Sequence, residues 1–243
     1  MKIQMIGTGA IAAKERSAAA LIDDTFLIDC GNGIYKTLLE QGIDPLKIET
    51  LLVSHIHGDH FLDVPFLIIV RSFTSCEKPL KIIAPEGLTY AMSEITRLMY
   101  SDIEPLDQLL KMGNTVIEEY ESLKKETVNG YTLTSYEMDH GKFEPSYGFV
   151  ISDGKITLGY SGDSTYCREV EKIMKKSDAA VMEMSFVKEG KSHMGTDSIE
   201  KLARKYPNKM IVTTHMSTSA REEGRKLNLT NVIIPQDGDV IYL

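Results

Sequence analysis

Three histidines and an aspartate fall within six residues as His55-X-His57-X-Asp59-His60, directly after the apolar run Glu49-Thr50-Leu51-Leu52-Val53-Ser54. No other feature constrains this chain so tightly. The run reads as a buried strand, and residues two apart leave a strand end on the same side, so His55 and His57 face one point. Gly58 permits a sharp turn, after which Asp59 and His60 are presented from the start of a helix towards a second point. A single histidine is most often a core or surface residue, but a cluster of this density calls for a ligand. Imidazole and carboxylate donors suit zinc, and iron and manganese use the same set. The spacing points to a two-metal hydrolase.

The same grammar recurs downstream. Tyr131 to Met138 is strand-like and ends in Asp139-His140-Gly141; Ile156 to Tyr160 ends in Ser161-Gly162-Asp163; Met210 to Thr214 ends in His215-Met216-Ser217. Each time a polar donor directly follows an apolar strand, as expected of a site at one edge of a sheet sandwich. His193, the sixth histidine, follows Glu183-Met184-Ser185 and precedes Gly195-Thr196-Asp197, which opens a helix with Thr196-Asp197 as its expected cap.

Strands are expected near 2–6, 17–22, 25–29, 49–54, 80–84, 115–120, 128–138, 147–151, 155–160, 178–183, 210–214, 231–234 and 239–242. Helices are expected near 32–41, 61–71, 86–100, 166–176, 196–206 and 218–227. Two strand-rich halves with interspersed helices satisfy an α/β (α+β) four-layer αββα sandwich, the site at the shared edge of its sheets. No linker or low-complexity tract divides residues 1–243, so one hydrolase domain is expected. Residues 101–114 fit no element of this plan and are expected to shape a pocket or a dimer contact. Gly7-Thr8-Gly9-Ala10-Ile11-Ala12 with Asp29 imitates a dinucleotide-binding fingerprint, but Ser17 to Ile22, an Asp23-Asp24 turn and a second strand make a hairpin where that unit needs a helix.

With 35 acidic against 27 basic side chains the net charge is −8, so no extended surface for a polyanion is expected. The basic clusters Lys124-Lys125, Lys172 with Lys175-Lys176, and Arg221 with Arg225-Lys226 read as solvated faces, whereas Lys188 and Lys191 flank the His193 loop, where they could meet a small anion. Cys30, Cys76 and Cys167 form no Cys-X-X-Cys pair and cannot all pair with one another. Met1 to Ile6 enters a strand with no signal-peptide pattern, and Phe61 to Val70, the most apolar stretch, is too short to span a bilayer. A cytoplasmic protein without membrane association is expected.

The chain resembles the metallo-β-lactamase fold superfamily, and within it the ribonuclease Z-like branch, over nearly its whole length. The motif around His55 carries the superfamily. The branch is carried by Ile6-Gly7-Thr8-Gly9, Lys14-Glu15-Arg16-Ser17, Phe26-Leu27-Ile28-Asp29-Cys30-Gly31-Asn32-Gly33, Ser146-Tyr147-Gly148-Phe149 and Gly159-Tyr160-Ser161-Gly162-Asp163-Ser164. The resemblance implies two divalent ions, zinc first with manganese or iron as alternatives. One would sit on His55, His57 and His140, the other on Asp59, His60 and His215, with Asp163 bridging. It also implies attack by a hydroxide held between them, with Asp59 a further candidate proton acceptor. His193 falls where that branch carries a histidine that is not a ligand but stands near the scissile phosphate. Glu183 would orient it.

Departures narrow the expectation. Only 22 residues separate His140 from Asp163, filled by Phe143-Glu144-Pro145-Ser146 and two short strands, with no room for the long basic arm with which ribonuclease Z grips transfer RNA. Phe61-Leu62-Asp63-Val64-Pro65-Phe66 replaces the branch's Gly-Leu-Pro-Gly, and Ala12-Ala13 stands where a proline is usual. The expected activity is therefore that of a phosphodiesterase on a small or single-stranded phosphodiester: a cyclic nucleotide, a cyclic phosphate or an RNA end. The alternatives are a lactone or thioester hydrolase, transfer RNA 3′ processing, and a non-catalytic metal-binding scaffold. A homodimer is compatible with the resemblance, since such relatives often pair.

Overall fold

The computed structural model describes residues 1–120, 124–142 and 145–243; Phe143 and Glu144 of the short connection after His140 lie outside the described residues. Strands β1 (Lys2–Gly7), β2 (Ala19–Ile22), β3 (Phe26–Ile28), β4 (Thr50–Leu52), β5 (Leu80–Pro85), β6 (Thr115–Tyr120) and β14 (Val240–Tyr242) form one sheet, ordered β14-β1-β2-β3-β4-β5-β6. Strands β7 (Lys125–Val128), β8 (Tyr131–Met138), β9 (Ser146–Ser152), β10 (Thr157–Tyr160), β11 (Ala179–Glu183), β12 (Met210–Thr214) and β13 (Val232–Ile233) form the other, ordered β13-β12-β11-β10-β9-β8-β7. The pairing scheme is the same in both. From β14 and from β7 inward, three antiparallel pairings are followed by three parallel ones.

Alternation along the strands generates the layers. In β4 and β5, Leu51 and Ile82 point outward into one apolar cluster, while Leu52 and Ile83 point inward into another. The inner cluster joins Ile3, Phe26 and Leu52 of the first sheet to Phe149, Leu158, Val181 and Val212 of the second. Outside the first sheet lie α1 (Ile34–Glu40), α2 (Gly58–Phe61), α3 (Val64–Phe73), α4 (Leu88–Met99) and α5 (Leu106–Met112), burying Leu38, Leu67, Leu88 and Leu109. Outside the second, α6 (Arg168–Lys176), α7 (Thr196–Lys205) and α8 (Thr218–Gly224) bury Ile173, Ile199, Leu202 and Ala220. Helix, sheet, sheet, helix is the expected four-layer order.

Several local expectations need correction. The strand expected over 128–138 is a hairpin: Asn129 and Gly130 take φ of 47° and 85°, the left-handed pair of a two-residue turn, and split it into β7 and β8. The helix expected over 61–71 is two, because the chain breaks at Leu62-Asp63 and restarts with Pro65 in the first turn of α3. The residue before α7 is Gly195, whose N–H donates to Ser198 Oγ at 3.3 Å, so Thr196 is inside the helix. Residues 101–114 contain α5, and with α4 they line a cavity of about 380 Å³ bounded by Thr96, Tyr100, Ile103 and Leu106. Arg221 is no solvated cation. It is buried, donating to Thr8 Oγ1 at 2.6 Å and to the Pro235 carbonyl at 2.5 Å. The segment Gly7 to Asp29 is the expected antiparallel hairpin, with Asp23 and Asp24 at its turn.

Candidate metal centre

The donor residues named from the sequence converge where strands of both sheets end. His55 follows β4 and His57 lies two residues on; Asp59 and His60 sit in α2; His140 follows β8, Asp163 follows β10 and His215 follows β12. Side-chain atoms of His55, His57, His140 and Asp163 lie within 4.8 Å of one another, as do those of Asp59, His60 and His215, and those of Asp163, His193 and His215. Asp163 Oδ2 is 3.8 Å from His55 Nε2, 3.5 Å from His60 Nε2 and 3.4 Å from His215 Nε2, placing one carboxylate between the two groups. Asp59 Oδ2 lies 3.2 Å from His215 Nε2.

The hydrogen bonds of these residues leave room for a cation. His55 and His60 are buried, and the Nε2 of each has no hydrogen-bond partner among the described residues. A buried polar nitrogen left so is costly, on the order of 1–3 kcal/mol, unless something outside the chain satisfies it. The opposite nitrogens are held. His55 Nδ1 contacts Ser54 Oγ at 3.0 Å, His60 Nδ1 contacts Asp29 Oδ2 at 2.9 Å, His140 Nδ1 contacts the Ser192 carbonyl at 2.8 Å, and His215 Nδ1 contacts Ser185 Oγ at 2.8 Å. Imidazoles anchored through one nitrogen, with the other turned to a common centre, are the arrangement metal-binding histidines adopt. The residues fit a divalent cation.

Electrostatics agree. Burial disfavours the ionised Asp163, but the imidazoles of His215, His60 and His55 more than offset this and hold its carboxyl well below the usual range. For His60, burial opposes a charge, yet Asp163 and Asp29 outweigh it and raise its basicity well above that of free imidazole. A field that favours positive charge on the His60 ring favours a metal cation beside it as well. At His55 burial, reinforced by His60, pushes the pKa well down, keeping its lone pair available.

His193 stands at the rim, 17% exposed, with Nδ1 3.0 Å from Glu183 Oε1 and its ring stacked 5.5 Å from that of His215. Burial lowers its pKa, but the hydrogen bond to Glu183 and the negative charges of Glu183 and Asp163 together outweigh this and raise it. Phe186 packs edge-on against it at 5.6 Å, and Lys188 and Lys191 are exposed on the same loop. Cys30 is a buried free thiol, its pKa pushed well up by burial.

Two carboxylates support the cluster: Asp29, passed over as a site residue in the sequence, and Glu183, expected there as the partner of His193. Asp29 accepts hydrogen bonds from Ser54 N–H (2.7 Å), Ser54 Oγ (2.9 Å), His60 Nδ1 (2.9 Å) and Tyr160 Oη (3.0 Å). Glu183 accepts from Ser164 N–H (2.9 Å), Ser185 N–H (3.1 Å), Ser185 Oγ (2.7 Å) and His193 (3.0 Å). A usable signal existed for Asp29: like the donors, it is a polar residue placed directly after an apolar strand. Asp29 and His215 share a left-handed backbone, φ 60° and 52°, which turns each side chain out of its strand's direction.

The model of the family described as Anti-Pycsar protein Apyc1 matches residues 1–234. Ribonuclease Z of Methanocaldococcus jannaschii is 31% identical over 169 residues, 64% of this chain but only 48% of that protein, so the match spans about half of the relative's length. Ribonuclease Z of Enterococcus faecalis is 25% identical in an alignment covering 100% of this chain and 97% of the relative. Among solved structures, the metallo-β-lactamase fold protein YhfI of Bacillus subtilis superposes with a TM-score of 0.78 at 21% identity, covering 99% of this chain and 98% of that one.

Proposed function

This chain belongs to the Anti-Pycsar protein Apyc1 family, its fold is that of the metallo-β-lactamases and its relatives are ribonuclease Z-like; from that premise we propose that it is a metal-dependent phosphodiesterase of small or single-stranded phosphodiesters. The observation that carries this reading is His193. It has a raised basicity, a carboxylate holding its Nδ1, and a place beside the donor cluster without being enclosed by it. Such a group suits protonation of a departing alkoxide, a need of phosphodiester cleavage that an activated acyl group does not share.

In this reading His55, His57 and His140 would hold one ion and Asp59, His60 and His215 the other, with Asp163 available to both groups; zinc suits the donors, with manganese or iron compatible. Two divalent cations there would supply charge to neutralise phosphoryl oxygens and would lower the pKa of water. The protein's own groups do the rest. Asp59 can receive a proton, Glu183 fixes the His193 ring, and His193 holds a proton at the rim, where the leaving oxygen would emerge. Exposed Lys188 and Lys191 offer positive charge to an anion arriving past that rim.

Cyclic nucleotides, cyclic phosphates and RNA ends are the substrates proposed. The connection from His140 to Asp163 is 22 residues long and among its described residues holds the β9–β10 hairpin and short loops, too little for a transfer-RNA-gripping arm, and the net charge of −8 gives no polyanion surface. The Enterococcus faecalis alignment runs over 306 residues against this chain's 243, so that relative carries stretches this chain lacks. One hydrolase domain over 1–243 is part of the proposal, since both sheets contribute to one cluster, and so is a cytoplasmic location, which three free cysteines favour. No helix among the described residues is long and apolar enough to cross a membrane.

The test is hydrolysis of bis(p-nitrophenyl) phosphate against a chromogenic lactone and a thioester, by protein loaded with zinc or manganese. Diester cleavage that collapses in His193→Ala with metals retained is the expected result. Activity confined to the acyl substrates and indifferent to His193 would replace the proposal with an acyl hydrolase, and no turnover of any substrate would favour a binding scaffold.

A further inference from the structure

A serine hydroxyl is buried beneath the donor cluster, and its contacts leave little freedom in how its proton is placed. Ser185 is 3% exposed, with Oγ 2.7 Å from Glu183 Oε2, 2.8 Å from His215 Nδ1, 3.1 Å from the His215 carbonyl and 3.3 Å from His193 Nδ1. A hydroxyl carries one hydrogen and a carboxylate carries none, so the short contact to Glu183 is Ser185 donating, the charged acceptor outcompeting the neutral carbonyl. The contact to His215 must then be Nδ1–H donating to Ser185. This leaves His215 Nε2 bare, 3.2 Å from Asp59 and 3.4 Å from Asp163. The other Glu183 oxygen takes the proton of His193 Nδ1 at 3.0 Å.

We infer that Ser185 is a positioning residue that links His215 to His193 through the chain His215–Ser185–Glu183–His193, selecting the metal-binding tautomer of the first and the orientation of the second. The fold repeats the device. Ser54 lies two residues past the end of β4, as Ser185 lies two past the end of β11, and β4 and β11 occupy the same fifth position counted from β14 and from β7. Ser54 Oγ donates to Asp29 at 2.9 Å and meets His55 Nδ1 at 3.0 Å, so it selects the tautomer of His55 in the same way. Ser185 differs in that its chain continues to a ring at the rim. A hydroxyl whose only role was to fill space would need neither contact.

The kinetic half of this inference rests on the phosphodiesterase reading; the metal half does not. Zinc affinity of full-length Ser185→Ala, measured by chelator competition, is expected to fall about tenfold or more, in the range found when a partner of a ligating histidine is removed. At saturating zinc its diester kcat should fall with KM within twofold of wild type, and the kcat losses of Ser185→Ala and His193→Ala should not multiply in the double variant, since one acts through the other. Zinc affinity within twofold of wild type, or losses that multiply, would overturn the inference. Should the alanine variant not fold, Ser185→Thr, which keeps the hydroxyl on Cβ, is expected to bind zinc as wild type does, and a large loss there would overturn it equally. A wild type that binds zinc but cleaves no diester would fell the phosphodiesterase reading, leaving zinc affinity to decide the place of Ser185.

Discussion

The two halves of the molecule solve one problem with different reach. Each places a serine two residues past the strand at the same position of its sheet, and each pairs that serine with a fully buried carboxylate, Asp29 in the first half and Glu183 in the second. Asp29 comes from the neighbouring strand end and is sealed in by Tyr160, so the imidazoles it governs, His60 directly and His55 through Ser54, are both buried. Glu183 ends its own strand and governs one buried ring, His215 through Ser185, and one at the rim, His193. The first half thus builds a floor. The second carries the same kind of hydrogen-bond chain out to where a substrate can be touched.

Floor and rim should respond differently to metal removal and to substitution, and the metal gives the greatest change. Stripping metal with a chelator should abolish diester hydrolysis, and zinc or manganese should restore it; turnover persisting in metal-free protein, confirmed by metal analysis, would remove the premise that either half is a metal floor. Next, His193→Ala should lower diester kcat by about 10²–10⁴-fold while leaving metal content and melting temperature near wild type, because it acts at the rim. Loss of bound metal in that variant would instead make His193 part of the floor.

Asp29→Asn should act oppositely, on the fold first. It removes a charge facing four donors and replaces one acceptor with an N–H, and a loss of roughly 2–4 kcal/mol is expected from urea unfolding. Glu183→Gln should unfold less readily than Asp29→Asn, because the His193 ring can turn to solvent and relieve the mismatch; equal losses would erase the distinction drawn between floor and rim. The smallest effect belongs to Tyr160→Phe, which removes one of the four donors to Asp29 at almost no change in shape. About 1 kcal/mol of stability should go, with zinc affinity nearly intact.

Much of this was legible in the chain because strand ends announce themselves locally. An apolar run closing on His55, His140, Asp163 or His215 needs only the period of a strand and a polar residue out of place, and these residues do meet in space with Asp59, His60 and His193. The hairpin at Asn129-Gly130 was equally visible but was overrun by the β-branched and aromatic residues on either side. Arg221 was not legible: its charge says surface, and only the packing of α8 against the loop bearing Thr8 supplies the acceptors that allow its burial. Ser185 and Ser54 were hidden for a related reason, since serine is at home almost anywhere and nothing local marks a hydroxyl that will sit between two imidazoles.

The identities of the donors, the alternation that sorts Leu51 from Leu52 into separate layers, and the shortness of the His140–Asp163 connection are written in the chain itself. All of these depend on residue type and on spacing of a few residues, which the chain carries locally. The tertiary structure decided which nitrogen of each imidazole is anchored and which faces the centre, that one carboxylate stands between two groups of donors, and that Glu183 reaches His193. Those outcomes depend on contacts between residues up to 156 positions apart, as Asp59 and His215 are, and an approach of that kind exists only once two sheets have packed and fixed the distance between their edges.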